Sequence, residues 1–192
     1  MQTAFGIIAA VLVVVSAIPY LKDVLCGKTK LEQGSYTIWL ALPITALITQ
    51  MVSGVSTASL YFAIGDTLIA LIFFVLMFKY GYGGVVRRDI FALLVAALGL
   101  GLWVFTREPL VALVVTICID AIGAILVAIK AVEAPQTETT ISWALYLVAS
   151  CLAIAAADVS LLTLLYPIYA AISSIVILIC QQVGFYKSKI KK

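Results

Sequence analysis

The stretch "AIPYLKDVLCGKTKLEQGSYTIW", Ala17–Trp39, decides the fold, because the chain writes a degenerate copy of it at Ala121–Trp143, "AIGAILVAIKAVEAPQTETTISW". The opening Ala-Ile pair and the closing Trp coincide without a gap, Trp143 standing 104 positions after Trp39. The register continues beyond the quoted stretch. Val55-Ser56 answers to Val159-Ser160, Ser59-Leu60 to Thr163-Leu164, and Phe62-Ala63-Ile64 to Tyr166-Pro167-Ile168. Apolar sequences align easily by chance, so a chain of helices without internal symmetry is the competing reading. An ungapped register over three successive segments favours a repeat.

What is repeated follows from composition. Hydrophobic residues make up 65% of the 192 and charged residues 11%, with a mean hydropathy of +1.21. Soluble domains carry about 45–50% apolar and about 25% charged residues, so this chain belongs in a bilayer. A helical span takes about 20 mostly apolar residues. Seven segments meet that length, at about 4–24, 36–54, 58–79, 89–106, 109–131, 140–157 and 160–182. Barrel strands would alternate polar and apolar residues; "ALIFFVLMF" and "FALLVAALGLGLWVF" do not, so helices are expected. The first segment has no basic region before it and no small-residue cleavage site after it, which predicts a retained helix, not a signal peptide. Cys26, Cys118, Cys151 and Cys180 lack CxxC spacing and are expected as free thiols. Histidine is absent, and no phosphate loop, nucleophile elbow or zinc motif is present. Neither a metal nor a cofactor is expected.

Basic residues set the orientation. With the N-terminus outside, Lys22, Lys28, Lys30, Lys79, Arg87, Arg88, Lys130, Lys187, Lys189, Lys191 and Lys192 all fall on the cytoplasmic side, and only Arg107 falls outside. The positive-inside rule therefore predicts N-out, C-in. The fourth segment then has a purpose. Three crossings alone would invert the second copy; one extra crossing restores its direction and gives a parallel repeat about an axis along the membrane normal. The expected layout is a three-helix bundle over 1–82, a linker helix over 83–107, and a second bundle with a basic tail over 108–192. That tail is expected to anchor the chain to anionic lipid, with no nucleic acid as partner.

This 3+1+3 plan resembles the SWEET, PQ-loop and PnuC-like transporters. Pro19, Lys28-Thr29 and Gly34-Ser35 follow the order of a PQ-loop repeat: a Pro near the end of its first helix, then a basic, Gly- and Ser-containing loop. The second copy is similar to small bacterial seven-helix proteins, with Asp120, Gly123, Pro135, Glu138 and Trp143 at the matching positions. The resemblance implies a multi-pass protein of a bacterial inner membrane, and a pore that one chain completes without a homo-oligomer. SWEET sugar pockets use Asn on the third helix of each repeat, and this chain has no Asn; sugar specificity does not carry over. Two prolines per repeat are the family's hinges. Here Pro19 and Pro43 face Gly123 and Leu147, so half the set is missing.

Asp120 is the sharpest single signal. It lies near the middle of the fifth segment, where an ionised carboxylate costs about 2.5–3.5 kcal/mol on insertion scales unless paired or facing water. Its repeat mate Ser16 is also polar, and Thr116 precedes it by one turn. A central substrate or proton site is one reading; a packing hydrogen bond, such as one to Ser16, is the other. Asp66 carries the same cost in the third segment but faces Ala170 in the repeat, with Gly65 beside it permitting close helix approach. Trp39 and Trp143 open the second and sixth segments, as an aromatic belt or as a cytoplasmic gate. Tyr20, Tyr166 and Tyr169 carry hydroxyls that need partners when buried. Thr45 and Thr49, one turn apart, are expected to bond their own backbone. Pro19, Pro43, Gly123 and Pro167 are candidate hinges.

The function expected from these features is transport of a small polar solute by alternating access, with the two carboxylates inviting proton coupling. The alternative is a non-transporting membrane scaffold or sensor on the same fold. An enzyme is not expected, since no nucleophile–base pair stands out.

Overall fold

A computed structural model describes residues 1–28, 31–82 and 108–190, together with Ile90, Leu94 and Gly101. The fourth predicted segment, 89–106, falls almost wholly outside the described residues, as do Lys30, Arg87, Arg88, Arg107, Lys191 and Lys192.

The described chain is all-α apart from one two-residue pairing. Its helices are α1 (Gln2–Leu25), α2 (Gln33–Val52), α3 (Thr57–Tyr80), α4 (Pro109–Glu133), α5 (Thr140–Ala156) and α6 (Leu161–Ile190). A single 3-10 turn, Pro135–Thr137, joins α4 to α5. A parallel pairing of Leu31-Glu32 (β1) with Gly81-Tyr82 (β2) ties the start of α2 to the end of α3. Four helices, α1, α3, α4 and α6, are long and apolar enough to cross a membrane, and Trp39–Val52 and Thr140–Ala156 form shorter apolar helices. These bounds follow the predicted segments within a few residues except at α6, which continues through Gln181 and Gln182 to Ile190.

The packing is that of a membrane protein. Ala9, Ala46, Ala63, Ala112, Ala131 and Ala149 are buried between helices, while Ile7, Val11, Ile18, Ile122 and Ile125 face outward. Small residues inside and large aliphatics outside is what lipid solvation permits, since lipid tails are as apolar as leucine and helices gain by close backbone approach. Gly65 shows the approach directly: a Cβ there would stand 3.0 Å from the Ala10 carbonyl oxygen on α1. At Gly184 a Cβ would overlap the Ala131 carbonyl on α4. The free cysteines Cys118 and Cys151 point to this outer, apolar surface.

Helix neighbours repeat across the chain. In the first half α3 packs on both α1 and α2, and in the second half α6 packs on both α4 and α5. The halves meet where α1 packs on α5 and α2 on α4. Side-chain bonds sort the helix ends into two groups. At one end the Thr139 hydroxyl donates to Asp23 at 2.9 Å, and Gln181 reaches the Pro135 and Glu138 carbonyls at 2.9 and 2.8 Å. Lys22, Lys79, Lys130 and Lys187 lie in the last turns of their helices at this end. At the other end Ser56 and Ser59 meet Asp158, and Gln50 donates to the Leu162 carbonyl at 3.4 Å.

Candidate functional site

A cavity of about 470 Å³ lies between the two halves. One stripe from each helix lines it, at the three- and four-residue spacing that puts side chains on one helix face. The stripes are Val13, Ser16, Ala17 and Tyr20 on α1; Tyr36, Trp39, Leu42 and Pro43 on α2; and Asp66, Ile69, Ala70 and Phe73 on α3. Asp120, Ala124, Val127 and Lys130 continue the wall on α4, Ser142, Trp143 and Tyr146 on α5, and Tyr166, Tyr169, Ala170, Ser173 and Ile177 on α6. Several pairs 104 positions apart stand on the wall together: Ser16 and Asp120, Trp39 and Trp143, Asp66 and Ala170, Phe73 and Ile177. The described wall reaches Lys130, Glu133 and Glu138 at the basic end and extends no further toward the opposite end than Val13, Asp66 and Tyr166.

Two carboxylates on membrane-spanning helices face this space. Asp66 accepts the phenolic O–H groups of Tyr146, at 2.8 Å, and of Tyr166, both at its Oδ2. These bonds cross from α3 to α5 and α6, so they hold the halves together. Asp120 accepts the Tyr169 hydroxyl at 2.5 Å, a bond within the second half. The Ser16 hydroxyl turns back to the Val13 carbonyl at 2.7 Å. Asp120 and Ser16 both line the cavity, and the Asp120 hydrogen bond comes from a tyrosine on α6.

At the basic end Glu138 is the pivot. Its side chain is 2% exposed, pairs with Lys130 Nζ at 2.9 Å and accepts the Trp143 indole N–H at 3.1 Å. Burying a carboxylate is costly unless charge and donors compensate it, and both are present. Gln181 holds the backbone on which Glu138 sits: it is 0% exposed, donates to two carbonyls of the 135–138 turn, and accepts the Thr140 hydroxyl at 2.9 Å. The need to satisfy that turn explains why α6 carries a polar residue where its apolar run was expected to stop.

Trp39 differs from its repeat mate. Its indole leans on α4 at Gly123, where a Cβ would overlap the indole nitrogen. Among the described residues Trp39 Nε1 is buried without a hydrogen-bond partner, as is Ser142 Oγ, and both residues line the cavity. An unpaired buried donor costs about 1–3 kcal/mol, so each is a place where a ligand could contribute. Both tryptophans stand on the cavity wall.

At the far end the Asp158 carboxylate accepts the Ser56 backbone N–H at 2.8 Å and the Ser59 hydroxyl at 3.2 Å. Those bonds hold its carboxyl below the usual carboxylate range, the Ser56 N–H contributing most. A hydroxyl pair matches across the repeat: Ser56 meets Ser59 at 3.2 Å, and Ser160 meets Thr163 at 2.9 Å.

Of the residues singled out in the sequence, Asp120, Ser16, Asp66, Trp39, Trp143, Tyr166, Tyr169, Tyr20 and Pro43 come together around the cavity. Thr116 does not; its hydroxyl returns to the Ala112 carbonyl at 2.8 Å and it packs in the interior. Thr49 likewise bonds Thr45 O at 2.8 Å. Pro19, Pro43 and Pro167 lie inside continuous helices, and Gly123 provides room for an indole. Tyr146, Tyr36, Lys130 and Ser142 were missed. The available signal was helical spacing: Tyr146 follows Trp143 by three residues, and Tyr36 precedes Trp39 by three. Among the described residues no three His, Cys, Asp or Glu side chains cluster as a metal site. No protein-family model, no curated protein and no solved structure matches the chain.

Proposed function

We propose that the protein transports a small polar solute by alternating access between two three-helix halves, 1–82 and 108–192, joined by the fourth segment as a crossing linker. The observation that carries this reading is the cavity between the halves, with two membrane-buried carboxylates on its wall. A carboxylate in a spanning helix costs several kcal/mol (about 2.5–3.5) unless function or pairing maintains it. Here one of the two, Asp66, is bonded across the halves by Tyr146 and Tyr166. Rocking of one half against the other would exchange those bonds for solute contacts.

The repeat of helix neighbours supports the parallel 3+1+3 layout, with α1, α2 and α3 matched to α4, α5 and α6. Orientation rests on charge. Described lysines gather at the end the cavity reaches, which the positive-inside rule makes cytoplasmic. The conformation is then cytoplasm-facing, with the Ser56–Asp158 end closed toward the outside, in a cell membrane the chain crosses seven times. Proton linkage rests on the same two carboxylates.

The test is uptake. Proteoliposomes containing the purified protein should accumulate at least one solute from a defined mixture of amines, amino acids, nucleosides, sugars and carboxylic acids, read by mass spectrometry against protein-free vesicles. Binding of a solute without any accumulation would favour a sensor.

A further inference from the structure

We propose that the cavity selects a small organic cation that also carries an uncharged hydrogen-bond acceptor. The proposal deepens the transport reading, since it assigns a solute class to the same cavity.

Charge comes first. Asp66, Asp120, Glu133 and Glu138 line the wall, against Lys130 as the one cation among the described lining residues. Lys130 is already committed to Glu138 at 2.9 Å. The two deeper carboxylates accept phenolic hydrogen bonds and have no cationic partner among the described residues. Their tyrosine bonds arrive at Oδ2 in both cases. A carboxylate offers about four acceptor positions over its two oxygens, so each retains capacity for a donor from the cavity. Among the described lining residues a bound anion would meet these carboxylates with no uncommitted cation to offset them; a bound cation meets them directly.

The wall between the charges is aromatic. Tyr20, Tyr36, Trp39, Phe73, Trp143 and Tyr146 present rings to the space, and ring faces attract cations, tryptophan most strongly. An inorganic ion would bring its own shell of water donors and gain little from such surfaces. An alkylated ammonium or a guanidinium uses both the rings and the carboxylates.

The acceptor on the ligand follows from two unfilled positions. Trp39 Nε1 is a buried donor without a partner on the wall, and an indole N–H can only donate. Ser142, 9% exposed, has an unpartnered hydroxyl on the same wall. Both atoms are closed to water in this conformation, Nε1 against Gly123; a hydroxyl or carbonyl on the solute reaches them as the Trp39 indole and the Ser142 side chain turn toward the cavity.

The experiment is calorimetric titration of the full chain in lipid nanodiscs with three cations and their uncharged counterparts. Choline is set against 3,3-dimethylbutan-1-ol, 4-aminobutan-1-ol against pentane-1,5-diol, and 4-guanidinobutan-1-ol against 4-ureidobutan-1-ol. At least one cation should bind tenfold or more tightly than its counterpart, and Asp120→Asn should reduce that preference at least tenfold. Equal or weaker binding of every cation in the unmodified protein overturns the proposal, with no variant needed to read it. Failure of the transport reading looks different: a cation that binds with the predicted preference but does not exchange in proteoliposome counterflow leaves the cation site standing and removes the transporter. Conversely, uptake of only neutral or anionic solutes leaves a transporter and overturns the cation site.

Discussion

Ser56 donates its backbone N–H to the Asp158 carboxylate at 2.8 Å, a bond spanning 102 residues of sequence that joins the two halves at the end away from the cavity. Ser59 adds a hydroxyl to the same oxygen and accepts the Asp158 backbone N–H at 3.0 Å. This is a closure held by hydrogen bonds at the rim, where water can compete. In the proposed transport cycle this is the contact that opens.

The Asp158 carboxyl is held below its usual range by these donors. Its folded value lies under the unfolded one, so its stabilising effect is present above the unfolded value and lost as pH falls through the folded one. The melting temperature of the unmodified protein should exceed that of Asp158→Asn from pH 7 down to about pH 5. The gap should begin to narrow near pH 4 and close only as pH falls through the lower, folded value. A gap that stays constant to pH 3 would mean that the carboxylate's charge contributes nothing to the closure.

Lys130 and Glu138 form a half-buried pair, with Lys130 41% and Glu138 2% exposed. Removing the lysine leaves a buried carboxylate with the Trp143 N–H as its side-chain partner among the described residues. Lys130→Met should destabilise by about 1–3 kcal/mol, less than a fully buried pair because water reaches the lysine. Adding Glu138→Gln should recover most of that loss. Denaturation of the four species in a double-mutant cycle reads the coupling; additive losses would contradict the pairing.

The two cavity carboxylates should separate in their effects. Asp120→Asn removes a charge from the wall while its partner Tyr169 belongs to the same half, so uptake of the best solute should fall tenfold or more with melting nearly unchanged. Asp66→Asn weakens two bonds across the halves and should lower stability by about 1–3 kcal/mol, with a smaller effect on the solute affinity that remains. Uptake assays and thermal melts on both variants check this. Normal uptake with early melting in Asp120→Asn would make Asp120 a packing residue.

Topology is checked in intact cells. An impermeant thiol reagent should label Ser160→Cys and leave Ser188→Cys untouched, both in a background lacking the four native cysteines. Labelling of Ser188→Cys from outside would reverse the positive-inside assignment.

Much of this arrangement was legible in the sequence because bilayer solvation leaves a strong signature. Helix positions at both ends of α1, α3 and α4 follow the apolar runs closely, and the register that matches Trp39 with Trp143 also brings Ser16 and Asp120 to one wall. The sequence was less informative where polar side chains serve one another. Gln181 looked like the end of an apolar run, yet it is buried because the 135–138 turn needs its donors. Tyr146 faces Leu42 in the repeat, so symmetry concealed it; only its three-residue spacing from Trp143 pointed to the cavity. Gly123 reads as a hinge because Pro19 is its counterpart; nothing in the sequence shows that the Trp39 indole also packs where its side chain would stand. Of the two readings of Asp120, a cavity site or a packing bond such as one to Ser16, the second does not describe its hydrogen bond, which comes from Tyr169 while Ser16 bonds its own backbone.

The central claim is that solute crosses because the closed end at Ser56 and Asp158 opens while the cavity end closes. It is tested by placing cysteines at Ser56 and Asp158 in the cysteine-free chain and joining them with a short bis-thiosulfonate crosslinker in proteoliposomes. Uptake should stop on crosslinking and return on reduction, while calorimetric binding from the cytoplasmic side persists throughout. Uptake that continues at its original rate with the two halves tied at this end would contradict it.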